Sequence, residues 1–171
     1  VSPPIRTTGG DTVASYIKKL EKNCNEYLAA DEQFEGALFA RPAGTINKSI
    51  AFGAAGVAGA LVSERMAKKR QEGHEGATDG EAASSFPAGD VALGLTSRRM
   101  LVFKHSQLSG KPKEMLAEYP LDQVSGFSQE KRKLARSFHI HFADESLVDL
   151  DVVKMAKPDE FIEAFGRLTG R

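Results

Sequence analysis

The chain has 171 residues, 23 Lys+Arg against 23 Asp+Glu, ten phenylalanines, no tryptophan and one cysteine. This length allows one domain with a proper core and excludes two large ones. The lone Cys24 excludes an internal disulfide framework, and the neutral balance argues against a general nucleic-acid binder.

Residues 1–10 read as a disordered lead ending in Gly9-Gly10. The start, Val1-Ser2-Pro3-Pro4, is polar and lacks the basic-then-apolar pattern of a secretory leader. The expected location is therefore cytoplasmic, at most peripheral at the inner membrane. Residues 11–171 are expected to form a single domain. Its first element is a helix over 11–30, with Asp11 as N-cap. Val13, Ile17, Leu20, Cys24 and Leu28 recur at helical spacing, with Lys18, Lys19, Glu21 and Lys22 on the other side. Cys24 on that stripe reads as a small buried apolar residue.

The first strand is expected over 34–42, where Leu38 and Ala40 alternate with Phe39 and Arg41 before Pro42-Ala43-Gly44. Residues 45–71 change character. Ile46, Ile50, Val57, Leu61 and Met66 suggest an inserted helix, and its middle is rich in Gly and Ala. Each mid-helix glycine costs up to about 1 kcal/mol relative to alanine. Gly53, Gly56 and Gly59 therefore suggest close approach of another backbone. The nearly apolar run Ile50–Val62 has 13 residues, short of the ~20 needed to span a bilayer. Residues 72–89 are Gly-rich and acidic, with few large apolar residues, and read as a flexible linker.

The remaining strands are expected within 90–153. Val91, Leu93 and Leu95 alternate with smaller residues, and Ser97-Arg98 reads as a tight turn. Met100–Lys104, Met115–Tyr119 and Val124–Gln129 follow as strands, with 107–113 as a loop because it holds Ser109-Gly110 and Pro112. Glu130-Lys131-Arg132-Lys133 reads as a charged turn before a hairpin of Phe138–Phe142 and Leu147–Val153. A helix is expected over 158–169. Pro158 suits its first position, Asp159 and Glu160 suit its positive first turn, and Phe161, Ile162, Phe165 and Leu168 form its apolar face.

The run Leu95-Thr96-Ser97-Arg98-Arg99-Met100-Leu101-Val102-Phe103 resembles a hairpin of bacterial pleckstrin-homology-like (PH-like) domains. Tyr119-Pro120-Leu121-Asp122-Gln123-Val124 resembles that family's step into the next strand. The resemblance covers about 34–44 and 90–170. It implies an α+β, mainly β fold: a barrel or sandwich of about seven antiparallel strands, plugged by a C-terminal helix. The N-terminal helix and the inserted Gly/Ala-rich helix lie outside it. The short first loop of the family is replaced here by 45–89. The headgroup site that lipid-binding members carry in that loop is not transferable to this chain.

Several clusters are candidate sites. Phe138, Ile140 and Phe142 share a face, as do Val148, Leu150 and Val152. A bend centred on Glu145 would turn both sets inward. It would also place His141 opposite Asp149 and His139 opposite Asp151 on the outer face. Cross-strand polar pairing is the expected role of these four, and a divalent metal site is the alternative. Lys131, Arg132, Lys133 and Arg136 form one basic cluster, and Lys104, Lys111 and Lys113 lie in or beside another loop. Either could meet anionic lipid headgroups. The segment around Gly53, Gly56 and Gly59 could pack internally, on a membrane or on a second copy.

No phosphate-cradling glycine loop, paired-cysteine motif or nucleophile elbow is present. The expectation is a non-enzymatic binding or adaptor module without cofactor. Its partner would be an anionic lipid surface or an unidentified protein. Self-association through the Gly/Ala helix and weak divalent-metal binding stand as alternatives.

Overall fold

The structure, a computed structural model, describes residues 13–46, 80–132, 135–153 and 156–171, with 13–15 described by backbone alone. Helix α1 (Val13–Cys24) leads through a 3-10 turn (Asn25–Tyr27) to strand β1 (Gly36–Pro42). A short helix α2 (Glu81–Ser84) precedes β2 (Val91–Leu95), β3 (Arg99–Ser106) and β4 (Lys111–Pro120). Then come β5 (Val124–Lys131), β6 (Ala135–Phe142), β7 (Leu147–Val153) and helix α3 (Pro158–Thr169).

Strand β1 joins two half-sheets. Its residues 36–40 pair with β2, whereas Arg41 and Pro42 pair with Asp151 and Leu150 of β7. The resulting order is β4-β3-β2-β1-β7-β6-β5, with every neighbour antiparallel. Side-chain alternation then fixes the core. Leu38, Leu93, Met100, Val102, Phe138, Ile140, Phe142, Leu150 and Val152 all point between the half-sheets and are buried.

The opposite face of the first half-sheet is also buried, because α1 lies on it. Leu20 and Cys24 of α1 form a second cluster with Phe34, Ala37, Ala92, Leu101 and Phe103. The Cys24 thiol donates to the Lys113 carbonyl (3.3 Å), and burial pushes its pKa up to about 11. Small residues on β1 and β2 make room for this helix. A Cβ on Gly94 would lie 2.7 Å from Phe34 Cε1 and 3.1 Å from Leu20 Cδ1. Gly94→Ala is therefore expected to destabilise the protein by about 1–3 kcal/mol through overpacking. An unchanged urea midpoint would show that α1 and Phe34 are free to move aside.

Helix α3 follows from its sequence signals. Pro158 presets the first turn, with Asp159 and Glu160 beside it, and Gly170 (φ +69°) ends the helix with its N–H on Gly166 O at 2.8 Å. Phe161, Ala164 and Phe165 are buried in the main core.

Four expectations need correction. The N-terminal α-helix ends at Cys24, not residue 30; Cys24 has φ −132°, and Asn23, Cys24 and Asn25 are weak helix formers. The loop expected at 107–113 is shorter, because Lys111, Pro112 and Lys113 belong to β4. Proline is tolerated there because β4 is an edge strand of the ladder.

The linker expected at 72–89 is structured in its second half. Ala82 N–H donates to the Asp144 carboxylate (3.0 Å) and Ala83 N–H to Ser146 Oγ (3.1 Å). Ala83 and Phe86 are buried in the main core, with Phe86 stacked on Tyr119 at 6.2 Å between ring centroids. Gly80 fits against the β6–β7 turn only because it lacks a side chain: a Cβ would sit 2.2 Å from Ser146 Cβ.

The β6–β7 turn is centred on Asp144, not Glu145. Phe142 N–H bonds Ser146 O (2.9 Å), and Glu145 takes φ +66°, as in a three-residue hairpin loop whose last residue is left-handed. Asp144 fixes the turn by accepting the Ser146 N–H at 3.0 Å and the Ser146 hydroxyl. These bonds, the Ser146 hydroxyl first, hold its carboxyl below the usual range.

Candidate functional site

The end of the first half-sheet built from the β3–β4 hairpin and the neighbouring β1 and β2 termini brings together Arg41, Lys104, Lys111 and Lys113. Lys104 lies on β3, and Lys111 and Lys113 on β4, all exposed. Lys104 pairs with Glu114 at 3.3 Å. Lys111 and Lys113 make no ion pair among the described residues.

Beside them, Arg41 Nε lies 3.8 Å from Asp90, and its guanidinium sits 5.7 Å from the Phe39 ring centroid. The His105 ring packs on Phe39 with centroids 3.9 Å apart, and the His105 N–H donates to Asp90 O at 3.0 Å. Burial holds the His105 pKa below its ordinary value, with Arg41 and Lys19 adding to the effect and Asp90 opposing it. The positive charge at this end comes from Lys104, Lys111, Lys113 and Arg41. A cavity of about 10 Å³ lies between Tyr16, Phe39, His105 and Pro112. That is room for about one water molecule, not for a metabolite.

The second basic cluster lies on a different hairpin. Lys131 ends β5 and is exposed, as is Arg132 after it, whereas Lys133 lies outside the described residues. Arg136 on β6 is committed internally: it bonds Asp159 of α3 (2.8 Å) and Gln129 of β5 (2.8 Å). Arg136 is the main cause of the lowered Asp159 pKa. The Arg136–Asp159 pair thus ties α3 to the second half-sheet and leaves this cluster less charge to offer. Gly53, Gly56 and Gly59 also lie outside the described residues.

The metal alternative loses its geometry to the corrected register. His139 faces Asp149, His141 faces Leu147, and Asp151 faces Ser137. His139 Nδ1 pairs with Asp149, while His141 Nε2 shares a hydrogen bond with Ser128 Oγ at 2.7 Å. Asp151 is buried and accepts the Ile46 N–H at 3.2 Å. Only His139 and Asp149 meet; His141 and Asp151 are engaged elsewhere. Among the described residues no group of three or more His, Cys, Asp or Glu is placed to hold a metal ion.

At the β2–β3 turn lies a charged network that sequence reasoning did not single out. Glu32, buried before β1, receives Arg99 Nε (3.0 Å) and Nη2 (2.8 Å), Thr96 Oγ1 (2.6 Å) and the Ala29 N–H (3.1 Å). Arg99 also donates to Tyr27 O (3.0 Å) and pairs with Glu118. The hydrogen bonds from Arg99, chief among several causes, bring the Glu32 pKa down to about 2. Each Glu32 oxygen has two donors, so the network reads as a structural clamp.

The strand order, the β1 crossover between half-sheets and the closing helix α3 together decide the architecture. It agrees with the fold that the PH-like resemblance implied, seven antiparallel strands closed by a C-terminal helix. No family model matches the chain, and no curated protein matches it. Among solved structures, a DUF1696 family protein with a pleckstrin-homology domain from Shewanella loihica PV-4 is similar at a TM-score of 0.46 and 8% identity. The match covers 90% of this chain and 92% of that one. Within this PH-like domain, the Thr96–Arg99 stretch that carried the sequence resemblance holds the turn clamp. The β3–β4 hairpin is a separate surface at the other end of β3.

Proposed function

We propose that this PH-like domain is a non-catalytic binding module that docks peripherally on an anionic surface, the headgroup layer of a negatively charged membrane. The observation behind this reading is the pair Lys111 and Lys113, exposed and without ion pairs among the described residues, on a hairpin next to Arg41 and Lys104. No helix among the described residues is long and apolar enough to cross a membrane. Each lysine held near an anionic surface contributes about 1 kcal/mol, and the attraction weakens as salt shortens the Debye length.

The 171-residue chain is expected to sediment with phosphatidylserine-containing vesicles at low salt and to be released at high salt. Lys111→Ala with Lys113→Ala should weaken binding by about 2 kcal/mol, roughly 30-fold. Neutralising Lys131 and Arg132 should weaken it less. Absence of binding at low salt would refute this reading. A larger loss from the Lys131 and Arg132 changes would move the site to the β5–β6 hairpin.

A further inference from the structure

Leu108 is the most exposed large apolar side chain among the described residues, at full exposure. A single exposed leucine is ordinary on a protein surface. Its position is not ordinary. Ser106 and Lys111 form the last pair of the β3–β4 ladder, so Leu108 sits in the four-residue loop 107–110. Turns of this kind favour Gly, Asn, Asp, Ser and Pro, and Gln107, Ser109 and Gly110 fit that polar habit.

The loop is held in shape by its own hydrogen bonds. Gly110 N–H donates to Ser106 O (2.8 Å), Ser109 N–H donates to Ser106 Oγ (3.3 Å), and Gly110 takes the left-handed φ of +62°. Gln107 bonds the Asp90 carboxylate, which fixes one flank to the β1–β2 side. Leu108 is thus presented at an ordered apex, with Lys104 and Lys111 on the strands behind it.

We propose that Leu108 is a membrane-inserting wedge, which enters the boundary between headgroups and acyl chains while Lys104, Lys111 and Lys113 meet the anionic headgroups. This rests on the membrane reading above and adds the contact that a purely electrostatic attachment lacks. An apolar tip ahead of a basic collar is the chemistry of an interfacial anchor: the cations bring the loop to the surface, and the leucine leaves water on arrival. A soluble polyanion would engage the lysines and leave Leu108 in water. A protein partner would need a pocket for Leu108 but would have no dependence on lipid.

The absence of tryptophan from the chain supplies the test. Leu108→Trp places a lone indole at the apex without disturbing the core. On addition of phosphatidylserine vesicles its emission is expected to shift to shorter wavelength and to be quenched by shallow brominated lipids. Leu108→Ser is expected to bind the same vesicles about tenfold more weakly, as loss of one partly inserted leucine implies, with its urea midpoint and salt dependence unchanged. Sedimentation of Leu108→Trp with vesicles while its emission stays constant would overturn the wedge and leave the headgroup reading intact. Failure of the wild type to sediment would overturn both. A shift that follows protein concentration without lipid would assign Leu108 to self-association and overturn the wedge.

Discussion

Replacing Arg99 with alanine is expected to destabilise the domain by about 3–5 kcal/mol, the range for breaking one side of a buried charge pair. The guanidinium bridges three parts of the chain: Glu32 before β1, Tyr27 O after α1, and Glu118 on β4. Its removal leaves the Glu32 carboxylate buried with only the Thr96 hydroxyl and Ala29 N–H. The same clamp carries a pH signature. Glu32 has a folded pKa of about 2 against an ordinary value of 4.5. A depressed carboxylate contributes stability that is present above its unfolded pKa and is lost as pH falls toward the folded value. Wild-type stability should therefore drop between about pH 5 and pH 2. In Arg99→Ala this part of the drop should vanish. Urea midpoints of both proteins at pH 7 and pH 3 give the comparison. Parallel pH profiles would mean that the pair contributes nothing specific. An Arg99→Ala/Glu32→Gln double variant should recover part of the loss, because it removes the stranded charge along with its partner.

Phe161→Ala is expected to cost about 3–5 kcal/mol, the usual range for deleting a fully buried aromatic ring. Phe161 has no exposed surface and sits edge-on to Phe127 (5.3 Å, 67°) and Phe138 (6.0 Å, 74°). Phe127 in turn contacts Phe138 (5.4 Å) and Phe165 (4.9 Å). The four rings join α3 to β5 and β6, so the cavity left by one deletion would loosen the whole contact. Amide exchange should report this locally, with α3 amides losing protection before those of β2 and β3. Phe161→Leu keeps much of the volume and should cost less than half as much. A loss under about 1 kcal/mol for the alanine variant would show that α3 does not close the core.

The elements most legible in the sequence were those with two agreeing signals. For α3, Pro158 with Asp159 and Glu160 marked the start, and the spacing of Phe161 and Phe165 marked the buried face. The β6–β7 hairpin was half legible. Alternation of Phe138, Ile140 and Phe142 fixed the face, because a slip of one residue would expose all three. A slip of two preserves the face, and only the turn geometry decides it. That geometry depends on Asp144 bonding Ser146 and the left-handed Glu145, which no periodicity reveals. Gly80–Phe86 was misread because its burial depends on two isolated residues, Ala83 and Phe86, with no repeat between them. Glu32 was invisible because its partner lies 67 positions later. Leu108 carries no signal of its own in the sequence, being one apolar residue in a polar loop. Its meaning came from the hairpin that holds it at the apex.

The two described ends of the long β1–β2 connection are both anchored on the β6–β7 hairpin. Ile46 is held by Asp151, and Gly80 rests on Ser146, five residues earlier along the same hairpin arm. At ~3.3 Å per strand residue those anchors are about 17 Å apart, a gap that a graft of about eight residues would bridge. Closing a longer loop between fixed posts costs only about 0.6 kcal/mol per doubling of its length. A short graft between Ile46 and Gly80 is therefore expected to leave the strand register intact, and amide exchange in β1 and β2 would check it.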